Sequence, residues 1–215
     1  MLTKVTIYGE RCSGTNYLEQ LLITNFDIEI VRKHFFGFRD FRDLSTSEDV
    51  LFIGIVRNIY DWINSFYREK HHLPNSITEN EDTFLQNEFY SIEENGDERK
   101  NDRNIYTKER YKNIFELRHI KNKYLIEDLP TLVKNYLLIT YEDLMNNFID
   151  TMYKISGFHL PIRDYNDFPL NVHYYKHLKH VVYRPKKDVN QISKKKIFEN
   201  TNLQYEKILY PNLFP

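Results

Sequence analysis

The unbroken apolar run Leu51-Phe52-Ile53-Gly54-Ile55-Val56 constrains this chain more than any other feature. A strand apolar on both faces is one that is covered on both faces, the condition of a parallel sheet. Three further β-prone runs accompany it, at 4–8, 28–31 and 135–140. Between them lie stretches of helical spacing: Tyr17, Leu18, Leu21 and Leu22, then Ile59, Trp62, Ile63, Phe66 and Tyr67. Residues 107–128 read as helical up to Pro130, a helix follows from about Glu142, and another covers roughly 193–209. Strands alternating with helices predict a three-layer α/β/α domain around a central, mainly parallel sheet. In such sheets ligands sit beyond the carboxyl ends of the strands, so the residues that follow each strand carry the chemistry.

The 215 residues suit one domain over 1–215, with a polar excursion at about 71–105, containing Pro74 and Gly96, as a lid or acceptor loop. A formal charge of -1 argues against bulk nucleic-acid binding, and leaves room for a local anion pocket. The single cysteine, Cys12, excludes an internal disulfide framework, and no run is long enough to span a bilayer. The expectation is a cytoplasmic protein with no membrane partner; the oligomeric state is not legible.

Gly9-Glu10-Arg11-Cys12-Ser13-Gly14-Thr15-Asn16 joins the first strand to the first helix. Its glycine spacing is that of the P-loop, G-x-x-x-x-G-K-S/T, in which backbone N–H groups converge on a phosphate at a helix N-terminus. Thr15 stands where that pattern has lysine and Asn16 where it has the metal-binding hydroxyl. A loop so altered holds an anion and is poorly equipped for ATP chemistry. An ordinary tight turn capped by Ser13 or Thr15 is the alternative for the glycine spacing alone. After the third strand, Arg57 stands at the carboxyl end and Ser65 on the helix behind it, six residues in and roughly 9 Å along the axis. A guanidinium and a hydroxyl so spaced suit a second phosphate.

These two sites together resemble the sulfotransferases that use 3′-phosphoadenosine 5′-phosphosulfate (PAPS). Arg11-Cys12-Ser13-Gly14-Thr15 is similar to that family's K/R-x-G-T loop, with Arg11 one position early. Val56-Arg57-Asn58-Ile59-Tyr60-Asp61-Trp62 looks like its V-R-N/D-P-x-D/E-W/R, with Ser65 eight positions after Arg57. Ile139-Thr140-Tyr141-Glu142-Asp143-Leu144 is similar to a third family segment, R-Y-E-D-L. The resemblance covers residues 4–70 and 135–157, and implies PAPS as donor, PAP (3′,5′-ADP) as product, and no metal. It implies that Arg11, Cys12, Ser13, Gly14, Thr15 and Asn16 hold the 5′-phosphosulfate and that Arg57 and Ser65 hold the 3′-phosphate. Arg184 and Lys186 join them from a late basic loop. Arg11 and Lys33 are the cations at the transferred group.

Transfer to a hydroxyl also needs a base, and histidine is the commonest near neutral pH. His34 follows the second strand at the expected sheet edge, in Lys33-His34-Phe35-Phe36, and is the candidate. Packing of His34 against the two phenylalanines is the bland alternative. His71 and His72 read as a solvated loop. His173, His177 and His180 have helical spacing but no acidic or thiol partner to complete a metal site. Glu142 and Asp143 are expected to stabilise a helix N-terminus, and Lys194-Lys195-Lys196 to be a solvated face. The resulting expectation is a sulfotransferase acting on a small-molecule or carbohydrate hydroxyl. The alternatives are a non-catalytic nucleotide-binding module of the same fold and a small-molecule kinase.

Overall fold

The computed structural model describes residues 1–33, 44, 47–70, 72–172 and 191–214. His34, His71, His173, His177, His180, Arg184 and Lys186 lie outside the described residues. The described chain divides into two compact units. One holds residues 1–33, 44, 47–57 and 129–172, the other 58–70, 72–128 and 191–214.

The first unit contains the sheet. Strands β1 (Lys4–Tyr8), β2 (Glu29–Arg32), β3 (Val50–Val56) and β4 (Asn135–Thr140) are all parallel, in the order β2-β1-β3-β4. The apolar run at 51–56 is therefore an interior strand, paired with β1 from Lys4↔Val50 to Tyr8↔Gly54 and with β4 from Leu51↔Asn135 to Val56↔Thr140. The period-2 alternation sorts its side chains. Leu51, Ile53 and Ile55 join Val5 and Ile7 in a core with Leu18, Leu21 and Leu22 of α1 (Thr15–Asn25) and Met152 and Ile155 of α8 (Phe148–Ser156). Phe52, Val56 and Tyr8, on the opposite face, are buried as well. Between β1 and β3 the strand order changes direction: the chain leaves β1 toward β2 and returns past β1 to β3. In parallel α/β sheets that reversal opens a crevice at the carboxyl ends of the two strands. The glycine loop leaves β1 at this point, and Arg57 leaves β3 there.

The same unit has short helices α6 (Leu129–Leu132) and α7 (Tyr141–Asn146). The Thr140 hydroxyl accepts from the Asp143 amide while the Asp143 carboxylate accepts from the Thr140 amide, which fixes where α7 begins. Asp143 thus has the N-terminal role read from the sequence.

The second unit is helical: α2 (Ile59–Glu69), α3 (Asn75–Thr78), α4 (Glu81–Gln86), α5 (Ile114–Lys123), a π-helical segment Tyr124–Asp128, α9 (Lys194–Asn200) and α10 (Leu203–Leu209). The amphipathic face of α2 buries Ile59, Trp62, Ile63 and Phe66. The stretch expected as a polar excursion supplies α3 and α4 and packs Phe84 and Phe89 edge-on against Phe66. The helix expected over 107–128 begins instead at Ile114, because Asn113 caps it by accepting from the Phe115 and Glu116 amides. Tyr111, before that cap, pairs with Phe89 in a β-bridge. Pro130 lies inside α6, which follows the segment Tyr124–Asp128 without a break, so the helical run ends after it, at Leu132. The expected final helix is two, because Asn202 caps α10.

Two buried ionic networks stitch this unit. Lys121 Nζ lies 2.9 Å from Asp102 Oδ1, and Ser91 donates to the other carboxylate oxygen; both charged side chains are at most 2% exposed. Arg118 Nη2 lies 2.9 Å from Glu206 Oε2, to which Asn122 also donates on Oε1 at 3.0 Å. Among the described residues no helix is long and apolar enough to cross a membrane.

Candidate functional site

The loop between β1 and α1 is shaped by two left-handed residues, Cys12 (φ 66°) and Gly14 (φ 92°), with Ser13 between them on the ordinary side of φ. Alternating hand along a loop is the backbone pattern of anion-binding nests. The Ser13 amide donates to the Glu10 carbonyl at 3.1 Å and closes the turn. Ser13 and Thr15 are buried.

Helix α1 begins on this nest. Gly14 is its N-cap, no side chain caps it, and no acid stands in its first turn. Six other helices are capped by side chains, from Asn58, Asn80, Asn113, Thr140, Ser193 and Asn202. The first turn of α1 therefore carries the partial positive end of the helix with no acidic residue of its own.

Both glycines are dictated by contacts. A Cβ on Gly14 would overlap the Tyr141 ring at Cδ2, and φ 92° strains any other L-residue. A Cβ on Gly9 would lie 2.5 Å from Thr15 Cγ2 and 2.6 Å from Ile55 Cγ2, so the loop packs directly on its own helix and on β3. The glycine spacing read from the sequence is thus a packing requirement as well as a turn signal.

Arg57, at the end of β3, joins this loop. Its Nη1 donates to the Cys12 carbonyl at 3.4 Å, and its guanidinium carbon stands 4.9 Å from the centroid of the Tyr141 ring. Tyr141, the first residue of α7, is buried, and it underlies both Gly14 and Arg57. The Tyr-Glu-Asp-Leu segment was legible in the sequence, but nothing in it assigned this ring to the loop.

The other candidate cations among the described residues, Arg11 and Lys33, are each held by a carboxylate. Arg11 is buried, with its Nε 2.9 Å from Glu10 Oε1; the same oxygen accepts from the Arg11 amide at 2.8 Å. Lys33 is paired with Glu19 of α1. Neither Glu10 nor Glu19 stood out in the sequence, because a charged residue gives no pattern that names its partner. Ser65 belongs to the second unit, where it is buried on α2 and accepts from Arg68 Nη2 at 3.1 Å. The structure therefore gathers Cys12, Ser13, Gly14, Thr15 and Arg57 into one locus, flanked by Arg11 and Asn16 in sequence. Lys33 and Ser65 are described with their own neighbours.

A nest, an uncapped helix start and an arginine at one sheet edge suit a tetrahedral oxyanion. No family model and no curated protein matches the chain. Among solved structures it is similar to the mouse sulfotransferase SULT7A1 complexed with PAP, with a TM-score of 0.51 and 14% identity over 98% of this chain and 85% of that one. The chain has a sulfotransferase fold. Its central four-stranded, all-parallel sheet flanked by helices is part of that fold.

Proposed function

We propose that this chain is a PAPS-dependent sulfotransferase that moves a sulfonyl group to a hydroxyl of a small molecule or carbohydrate, in the cytoplasm and without a metal. The observation that carries the reading is the first loop: a nest at Cys12–Gly14 on an uncapped helix, with threonine where triphosphate chemistry needs lysine. The residues present fit a nucleotide phosphate. Phosphate contacts are assigned to Cys12, Ser13, Gly14, Thr15 and Asn16, and Gly9 and Gly14 let the loop pack closely on Thr15, Ile55 and Tyr141.

The 3′-phosphate is assigned to Arg57 and Ser65 on their sequence spacing, with Arg184 and Lys186 from the late basic segment. Bound PAPS supplies the activated sulfonyl group. His34 accepts the proton of the acceptor hydroxyl as the new oxygen–sulfur bond forms and the sulfur–oxygen bond to phosphate breaks. Arg11 and Lys33 offset the negative charge left on that phosphate, and Glu10 and Glu19 hold the two cations in place.

Those two ion pairs also favour a second reading, a nucleotide-binding module without turnover, since both cations are already neutralised. Single-turnover assays with sulfur-labelled PAPS over a panel of hydroxyl acceptors decide between the two. Label transfer that EDTA leaves unchanged and that His34→Asn lowers by roughly 10²–10⁴ supports the enzyme. PAP binding with no transfer to any acceptor leaves the module.

A further inference from the structure

Ser65 is only 5% exposed, and its hydroxyl oxygen accepts from Arg68 Nη2. Its own proton meets no acceptor among the described residues. A serine within a helix commonly returns that proton to the carbonyl one turn back; Ser65 does not. A buried donor without an acceptor is destabilising, and a bound oxyanion removes that cost.

Arg68 is one turn along α2 from Ser65, and its side chain lines an open cavity of ≈ 540 Å³ with Tyr67, Lys70, Glu81 and Gln191. The lining carries two cations and one carboxylate, and that carboxylate has Lys196 Nζ at 3.6 Å. Arg68 Nε is 3.3 Å from Glu69 Oε1, which fixes the guanidinium beside Ser65. By filling the acceptor side of the Ser65 oxygen, Arg68 leaves the hydroxyl one useful role, that of donor.

We propose that Arg68 is a specificity-determining positioning residue for the 3′-phosphate: it polarises Ser65 and orients its hydroxyl as a donor to that phosphate. The inference rests on the reading of Ser65 as a 3′-phosphate contact. It concerns a residue outside the Arg57…Ser65 pattern.

The test is calorimetric titration of wild type, Arg68→Gln, Arg68→Lys, Ser65→Ala and the Ser65→Ala/Arg68→Gln double variant with PAP and with 5′-AMP. Loss of a charged hydrogen-bonding partner predicts that Arg68→Gln binds PAP about tenfold more weakly while 5′-AMP affinity changes by less than about twofold. Arg68→Lys, which keeps the charge and loses the fork, falls between. In the Ser65→Ala background the effect of Arg68→Gln shrinks, because the two act as one unit. An equal loss for both nucleotides, or undiminished PAP affinity, overturns the inference. If Arg68→Gln does not fold, Arg68→Lys decides: a lower preference for PAP over 5′-AMP supports the role and an unchanged one overturns it. A wild type with no preference for PAP overturns both the 3′-phosphate reading and this inference; a preference indifferent to Arg68 overturns the inference alone.

Discussion

Replacing Gly14 by alanine separates the two demands that the loop makes on that position. The backbone there has φ 92° and ψ 13°, a left-handed conformation that costs an L-residue about 1–2 kcal/mol. The new methyl would also overlap the buried Tyr141 ring, and forcing a buried ring aside costs a further 1–3 kcal/mol or so. Gly14→Ala should therefore destabilise the protein by about 2–5 kcal/mol. Gly96 supplies the control: it has nearly the same φ, 88°, but a Cβ there meets nothing within 4 Å. Gly96→Ala should cost only the conformational part, about 1 kcal/mol. Urea unfolding followed by circular dichroism measures both, and a cycle with Tyr141→Ala isolates the clash. In the Tyr141→Ala background the cost of Gly14→Ala should fall to that of Gly96→Ala. Equal costs for Gly14→Ala and Gly96→Ala in the wild-type background would refute the packing argument. So would a Gly14→Ala cost unchanged by Tyr141→Ala.

Other outcomes follow from other sites. Asp102→Ala strands the buried Lys121 ammonium and should cost about 3–5 kcal/mol in the same urea assay, whereas Lys4→Ala, which removes the exposed Lys4–Asp49 pair, should leave the urea midpoint nearly unchanged. Hydrogen bonds from Arg103 and then Arg110 hold the Glu98 carboxyl at about 2, below its ordinary 4.5. Because the folded-state value is the lower one, the stabilisation is complete above pH 4.5 and is lost as pH falls from 4.5 toward 2. Glu98→Gln should remove that part of the acid sensitivity, about 1 kcal/mol for a partly exposed cluster, as read from stability measured across that window. Gly9→Ala, with Thr15 and Ile55 in the way, should destabilise the protein and weaken binding of nucleotide phosphate together, by melting temperature and by titration.

The strands were legible because burial on both sides leaves no polar residue in Leu51–Val56, a pattern that a surface element cannot imitate. The glycine loop was legible because φ above zero and close backbone approach leave glycine little competition at positions 9 and 14. Helix boundaries were less so. The start at Ile114 hangs on one Asn113 side chain, and apolar spacing before it looked continuous. Charged partners were not legible at all. Lys121 and Asp102 read as surface residues by type, and only the fold brings them together out of water. The same holds for Glu10 on Arg11 and Glu19 on Lys33, whose pairing changes how much free charge the candidate site offers. His34, Arg184 and Lys186 lie outside the described residues, and their roles rest on sequence position alone.

The central claim is that the Gly9–Asn16 loop and Arg57 form a phosphate cradle adapted to PAP rather than to a metal-bound triphosphate. Titration calorimetry of the wild type and Arg57→Ala with PAP, and of the wild type with ATP and Mg²⁺, tests it most directly. The account predicts PAP binding that EDTA does not change, at least about tenfold tighter than ATP with Mg²⁺, and weakened by about 2–4 kcal/mol in Arg57→Ala. Binding of ATP with Mg²⁺ as tightly as PAP, or PAP binding indifferent to Arg57, would contradict it.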